Sequence, residues 1–157
     1  MTVTLQVGDA APQFSLPRDG GIQVNLADFA GRKVVVYFYP KDDTTGCTRE
    51  AIDFNAARLD FEAQNTAIVG ISADSPKRHD RFKTKHSLEI PLASDESLAI
   101  LEAYGVWREK TMYGRKFMGI ERSTFLIDGS GTIRKIWRKV KVDGHVAEVL
   151  TACGEFD

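Results

Sequence analysis

Residues 34–39, Val-Val-Val-Tyr-Phe-Tyr, form a run that is β-branched or aromatic throughout. A run with no polar face fits a strand covered on both sides, at the centre of an α/β sheet. Pro40 closes it. Beyond a polar turn, residues 44–64 carry Ala51, Phe54 and Phe61 at i, i+3 and i+10, flanked by Ile52, Ala56 and Leu59. That spacing predicts a helix with a broad apolar stripe. A second strand follows at 67–72. Ser75-Pro76 then supplies an N-cap and a first-turn proline for a helix that reaches about His86. His79 and His86 both read as exposed on this charged helix. Next come a short apolar segment at Ile90-Pro91-Leu92, a helix from about Glu96 to Tyr104 capped by Asp95, and a hairpin closed by Asp128-Gly129-Ser130-Gly131. The hairpin arms are 123–127 and 132–140. A last short helix begins near Asp143 and carries Cys153 close to its end.

A β-α-β unit followed by an antiparallel hairpin and a terminal helix gives a mixed β-sheet flanked by helices, an α/β domain on the thioredoxin-like plan. No internal repeat, low-complexity tract or long linker divides the chain, so residues 1–157 read as a single domain. The 21 Lys and Arg are interspersed with 22 Asp and Glu, for a net charge of −1. There is no basic stripe for nucleic acid and no polybasic tail for a membrane surface, and a small neutral or polar substrate fits better. The start, MTVTLQVGDAAPQF, has neither a basic nor an apolar leader region, and no apolar run approaches the ~20 residues that span a bilayer. The expectation is a cytoplasmic protein. Cys47 and Cys153 are the two cysteines, too few for a disulfide-stapled scaffold. Cys47 therefore points to chemistry rather than scaffolding.

The predicted elements put Cys47 in the first turn of a helix, just past the carboxyl end of the buried strand. Backbone N–H groups there lack intrahelical partners and the helix dipole is positive, so a thiolate is favoured over a thiol. Such positions bring cysteines from about 8.5 down to about 3.5–7.5, and the thiolate is the nucleophile. Pro40 offers no N–H and can shield the sulfur. Thr44 offers a hydroxyl that can accept or donate, and Gly46 lets the backbone approach closely. A plainer reading stands beside this one: Thr44 or Thr45 is only an N-cap, and Cys47 is a small buried hydrophobe.

Residues 40–47, Pro-Lys-Asp-Asp-Thr-Thr-Gly-Cys, match the Pro-x-x-x-Thr-x-x-Cys signature of peroxiredoxins. With Val-Tyr-Phe-Tyr before it and Thr-Arg-Glu-Ala after, the segment resembles the Q-type subfamily, also called bacterioferritin comigratory proteins. The likeness continues through 8–14, 104–107 and 113–128, so it covers nearly the whole chain. The resemblance implies a thiol peroxidase in which Thr44, Cys47 and Arg122 act together and Pro40 shields the sulfur. Hydrogen peroxide or an organic hydroperoxide is the implied substrate, and no metal, haem or flavin is called for. His79, His86 and His145 have no metal-ligand spacing. A guanidinium is always charged and presents fixed donors, which suits Arg122 to holding a thiolate and peroxide oxygens. Arg108, Arg115 and Lys116 read as solvated. Glu50 either orients Arg122 or is a helix-surface charge.

The chain departs from the subfamily at two places. Many members carry a resolving cysteine five residues after the first, where this chain has Ile52; others place it in the helix after the second strand, and residues 78–86 contain none. Cys153 is left as the internal resolving candidate, or as a residue that fills space under the last helix. The favoured scheme is a one-cysteine cycle restored by an external thiol, thioredoxin or glutathione with glutaredoxin, in a monomer. The other departure is Thr45, where relatives often have proline. Two rival readings are a Cys-His hydrolase, against which no matching motif surrounds Cys47, and a thioredoxin-like chaperone or partner-binding module without peroxidase activity.

Overall fold

The computed structural model describes residues 4–156. The chain opens with two short strands, β1 (Ser15–Pro17) and β2 (Gln23–Asn25), paired antiparallel with Leu16 opposite Val24. It then follows the predicted order: β3 (Lys33–Phe38), α1 (Thr45–Ala63), β4 (Thr66–Ser72), α2 (Pro76–His86), β5 (Leu92–Ser94) and α3 (Ala99–Ala103). A second hairpin, β6 (Trp107–Met112) with β7 (Arg115–Ile120), precedes β8 (Ser123–Ile127), β9 (Ile133–Trp137) and α4 (His145–Cys153).

Five strands make the central sheet in the order β5-β4-β3-β8-β9, with β3, β4 and β5 parallel and β8 and β9 antiparallel to their neighbours. This is the mixed sheet the element order implied. Every residue of β3 is buried, as its apolar run from Val34 required; Lys33, at its start, is buried too and donates to the Cys153 carbonyl. From Val34 to Tyr39 the side chains alternate between two cores: Val34, Val36 and Phe38 face the β1–β2 hairpin and α3, while Val35, Tyr37 and Tyr39, just past the strand, face α1 and α4. Gly70 in β4 has no room for a side chain, because a Cβ would stand 2.7 Å from the Tyr37 ring and 2.8 Å from Leu92.

Several details differ from the sequence reading. The inward face of α1 is narrower than the stripe suggested: Cys47, Glu50, Ala51, Phe54 and Phe61 are buried, whereas Ile52, Ala56 and Leu59 are exposed. Ile52 thus adds nothing to the core. Helix α3 starts later than Glu96, because Leu98 turns into the left-handed region at φ 69°. Asp95 still caps it, its Oδ2 accepting from the Ile100 and Leu101 amides at 2.8 Å each. The second arm of the last hairpin ends at Trp137 rather than Val140. Ser75 does cap α2, accepting from the Arg78 amide at 3.3 Å, with Pro76 following. The clearest correction concerns α2: His79 is fully buried and His86 is half-buried, and neither is an exposed charge-helix residue. His79 lies one turn before the buried Phe82, so the two share the inward face.

Candidate active site

The antiparallel pairing of β3 with β8 sets Phe38 opposite Ser123. Arg122, one residue earlier, therefore emerges beside the end of β3, where the chain turns through Pro40 into α1. Cys47 sits in the first turn of α1 and is 1% exposed. Its Sγ lies 3.4 Å from Arg122 Nη2, a donor aimed at the sulfur. One turn along, Glu50 is completely buried and accepts from Arg122 Nη1 at 2.7 Å. Cys47 and Glu50 thus occupy one face of α1 at i and i+3, and the planar guanidinium bridges them. Of the two readings of Glu50, the ion pair with Arg122 is the one present.

Gly46 makes this geometry possible. A Cβ there would stand 3.1 Å from Arg122 Nη2, inside ordinary van der Waals contact. Thr44 occupies the N-cap of α1 but does not cap it by its side chain; its hydroxyl donates instead to the Lys41 carbonyl at 2.8 Å. That donation uses the hydroxyl proton and leaves the oxygen of this exposed residue free to accept. Pro40 is half-buried and lines a cleft of about 330 Å³ together with Trp107, Lys110, Phe117 and Ile120. Arg108, Arg115 and Lys116 are exposed, as expected.

Burial controls the electrostatics. It pushes the Glu50 carboxyl up to about 7, even though Arg122 pulls the other way. Arg122 itself is held above its ordinary value: burial opposes its charge, but the Glu50 and Cys47 charges more than offset that. Lys110 is lowered, first by burial and then by repulsion from Arg122. Tyr37, walled in between strands, is raised well above the usual phenol by burial and by the Glu50 and Asp42 charges. His145, not part of this cluster, is lowered to about 4 by burial, and its Nε2 and the Thr124 hydroxyl share a hydrogen bond at 2.8 Å.

Cys153 is not brought to this place. Its carbonyl accepts from Lys33 Nζ at 2.7 Å, which puts it at the start of β3, whereas Cys47 lies past the end of that strand. Six residues of strand cover about 20 Å. Both cysteines are free thiols, and burial pushes the Cys153 thiol up. Among the described residues, no group of three or more His, Cys, Asp or Glu is placed to hold a metal ion, and no helix is long and apolar enough to cross a membrane.

Tyr39 and Asp42, to which the sequence reading assigned no role at the site, meet His79, which it read as exposed, next to the Pro40–Thr44 loop. The carboxylate of Asp42, in the loop after Pro40, accepts from Tyr39 Oη at 2.5 Å and from His79 Nδ1 at 2.6 Å. The signal available was positional: His79 stands one turn from the only apolar side chain of α2, Phe82.

Comparison with known proteins agrees with the geometry. Residues 7–136 match the AhpC/TSA family. The chain is 49% identical over 148 residues to a putative peroxiredoxin bcp of Coxiella burnetii, covering 94% of this chain and 98% of that one. It is 47% identical to peroxiredoxin Bcp of Bacillus subtilis, with 94% of each covered. The Xanthomonas campestris bacterioferritin comigratory protein, solved in trapped intermediate and ligand complexes that address its alkyl peroxide reduction activity, superposes with a TM-score of 0.86 at 46% identity, covering 90% of both chains. With the Pro-x-x-x-Thr-x-x-Cys loop, the thiol facing an arginine and these relatives in hand, the chain belongs to the AhpC/TSA family, among its Bcp or Q-type peroxiredoxins, and is a thiol-dependent peroxidase.

Proposed function

We propose that Cys47 is the thiol that attacks the peroxide, with Arg122, Thr44 and Pro40 completing the site. The observation that carries this reading is the buried Cys47 Sγ with an Arg122 donor 3.4 Å away, itself fixed by Glu50. The Cys47 thiolate attacks one peroxide oxygen and the O–O bond breaks. An S–O bond forms, giving the sulfenic acid, and the departing oxygen takes a proton to leave as water or an alcohol. The sulfur gives up two electrons and the peroxide gains them. Arg122 supports the charge as it moves from sulfur to the leaving oxygen, since its donors are already in place. Thr44, its own proton committed to Lys41, accepts the peroxide hydrogen and orients the substrate. Pro40 keeps water from the sulfur.

The substrate class follows from the cleft beside Pro40. Its Trp107, Phe117, Met118 and Ile120 lining suits the hydrocarbon part of an organic hydroperoxide, in keeping with the alkyl peroxide reduction of the Xanthomonas protein. Hydrogen peroxide needs no such lining and serves as well. The sulfenic acid then condenses with an external thiol, releasing water and leaving a mixed disulfide that a second thiol reduces. Thioredoxin or glutathione with glutaredoxin fills this role in a monomer. The placement of Cys153 favours an outside thiol, because a disulfide needs Cα atoms within about 7 Å and the two ends of β3 are about 20 Å apart.

One experiment tests the scheme. The protein is oxidised with one equivalent of hydrogen peroxide beside a sulfenic-acid trap, and intact mass and peptide maps are read for wild type, Cys47→Ser and Cys153→Ser. A single adduct on Cys47 in wild type and in Cys153→Ser is the expected result. A Cys47–Cys153 disulfide peptide would make Cys153 the resolving thiol, and the absence of any reaction at Cys47 would overturn the assignment.

A further inference from the structure

A buried polar cluster packs against the Pro40–Thr44 loop through Asp42. Tyr39, Asp42, Ser72, Asp74 and His79 are each no more than 9% exposed. They come from three places in the chain: the end of β3, the end of β4 and the inner face of α2. The Asp42 carboxylate accepts from Tyr39 Oη at 2.5 Å and from His79 Nδ1 at 2.6 Å. His79 Nε2 lies 3.1 Å from the Ala93 carbonyl oxygen, so the ring spans from the loop to β5. Asp74 Oδ2 accepts from the Asp42 backbone N–H at 2.8 Å and from the Ser72 hydroxyl at 2.8 Å. On the outer side, Asp43 adopts φ 64° and its carboxylate meets Lys85 at 2.7 Å and His86 at 3.1 Å, again on α2.

One peptide unit joins this cluster to the reacting groups. The N–H of Asp42 and the C=O of Lys41 belong to the same planar amide and point in opposite directions. Asp74 holds the N–H, and the C=O accepts the Thr44 hydroxyl at 2.8 Å. Turning that plane would take away the acceptor that keeps the Thr44 proton away from the substrate. We propose that His79, through Asp42, is a positioning residue for peroxide reduction. With Asp74 it locks the Lys41–Asp42 peptide so that Thr44 presents its oxygen as an acceptor. The proposal rests on the assignment of Cys47 and Thr44 above. His79 touches neither sulfur nor substrate, and its effect is confined to the peroxide side of the reaction.

The test compares two reactions of the same thiol. Peroxide reduction needs the thiolate and the Thr44 acceptor, whereas alkylation of Cys47 by iodoacetamide needs the thiolate and access alone. Single-turnover rates with hydrogen peroxide and with iodoacetamide are measured for wild type, His79→Leu and His79→Asn. His79→Leu is expected to lower the peroxide rate by about tenfold to a hundredfold, the cost of a misplacement of up to about 1 Å, with alkylation changed less than about twofold. His79→Asn, whose amide N–H can still reach Asp42, is expected to restore most of the peroxide rate. Equal loss in both reactions, or no loss in either, overturns the proposal. If His79→Leu does not fold, Tyr39→Phe takes its place. It removes one donor to Asp42 without leaving that carboxylate unpaired, and the same selective loss, smaller in size, is required. A wild-type protein whose Cys47 ignores peroxide would instead sink the assignment of the site, which separates the two failures.

Discussion

Glu50 offers the sharpest quantitative test, because its burial fixes both the sign and the size of a pH effect. The carboxyl is completely buried, one oxygen accepts from Arg122, and its Oε2 has no hydrogen-bond partner among the described residues. Burial raises it from the ordinary 4.5 to about 7. Between those two values the folded protein keeps a proton that the unfolded chain releases. The stabilisation is therefore fully present below about 4.5 and is lost as the pH rises through about 7. At about 1.4 kcal/mol per pH unit, the gap between 4.5 and about 7 amounts to about 3 kcal/mol. Glu50→Gln keeps the shape and an oxygen for Arg122 but cannot ionise. Its stability relative to wild type should accordingly improve by up to about 3 kcal/mol between about pH 4.5 and 7.5. Urea unfolding of both proteins across that range gives the difference directly. His145 titrates in the same window but is common to both and cancels. A difference that stays flat within about 0.5 kcal/mol, or that moves against Gln as pH rises, would refute the argument that burial rather than Arg122 sets this carboxyl. Above about pH 7, where the wild-type carboxyl is ionised, the variant should also reduce peroxide more slowly, because Arg122 loses the charge that holds it.

His145 runs in the opposite sense. Burial lowers it from 6.5 to about 4, so its contribution is present above about 6.5 and is lost as the pH falls toward 4. A His145→Gln variant should be free of this acid-side loss, about 2 kcal/mol, read from unfolding midpoints at pH 4.5 and 7. Arg122→Lys replaces a planar pair of donors with one point charge and should lower the peroxide rate about 10²- to 10³-fold in single-turnover mixing. Gly46→Ala places a methyl group 3.1 Å from Arg122 Nη2, and the guanidinium must give way. An expected loss of about tenfold in peroxide rate, with a thermal midpoint close to wild type, would show in parallel kinetic and calorimetric runs.

Much of the molecule was legible from local pattern. The apolar run of β3, the Ser75-Pro76 start of α2 and the Asp128 turn each carry their reason in adjacent residues, and all three stand where the sequence put them. The two other hairpins were not legible, for different reasons. Strands β1 and β2 are three residues long, and each buries a single side chain, too little to display an alternation. Strands β6 and β7 pair with each other apart from the main sheet. Most of their side chains are exposed, including Met112, Phe117 and Met118, so no inward face marks them as strands.

At the site, the sequence by itself determined the loop from Pro40 to Cys47 and, with the segment around Arg122, the chemistry those residue types can perform. It could not decide which role Glu50 plays, where Cys153 sits, or which way His79 points. Those are questions of long-range contact. Glu50 meets Arg122 across 72 residues of chain, and His79 meets Asp42 across 37. Helical periodicity ranks faces by hydrophobicity, so it assigns a buried carboxylate or imidazole to the solvent side by default. Only the packed structure supplies the partners that make such burial affordable, and it places Cys153 at the far end of the strand whose near end carries Cys47.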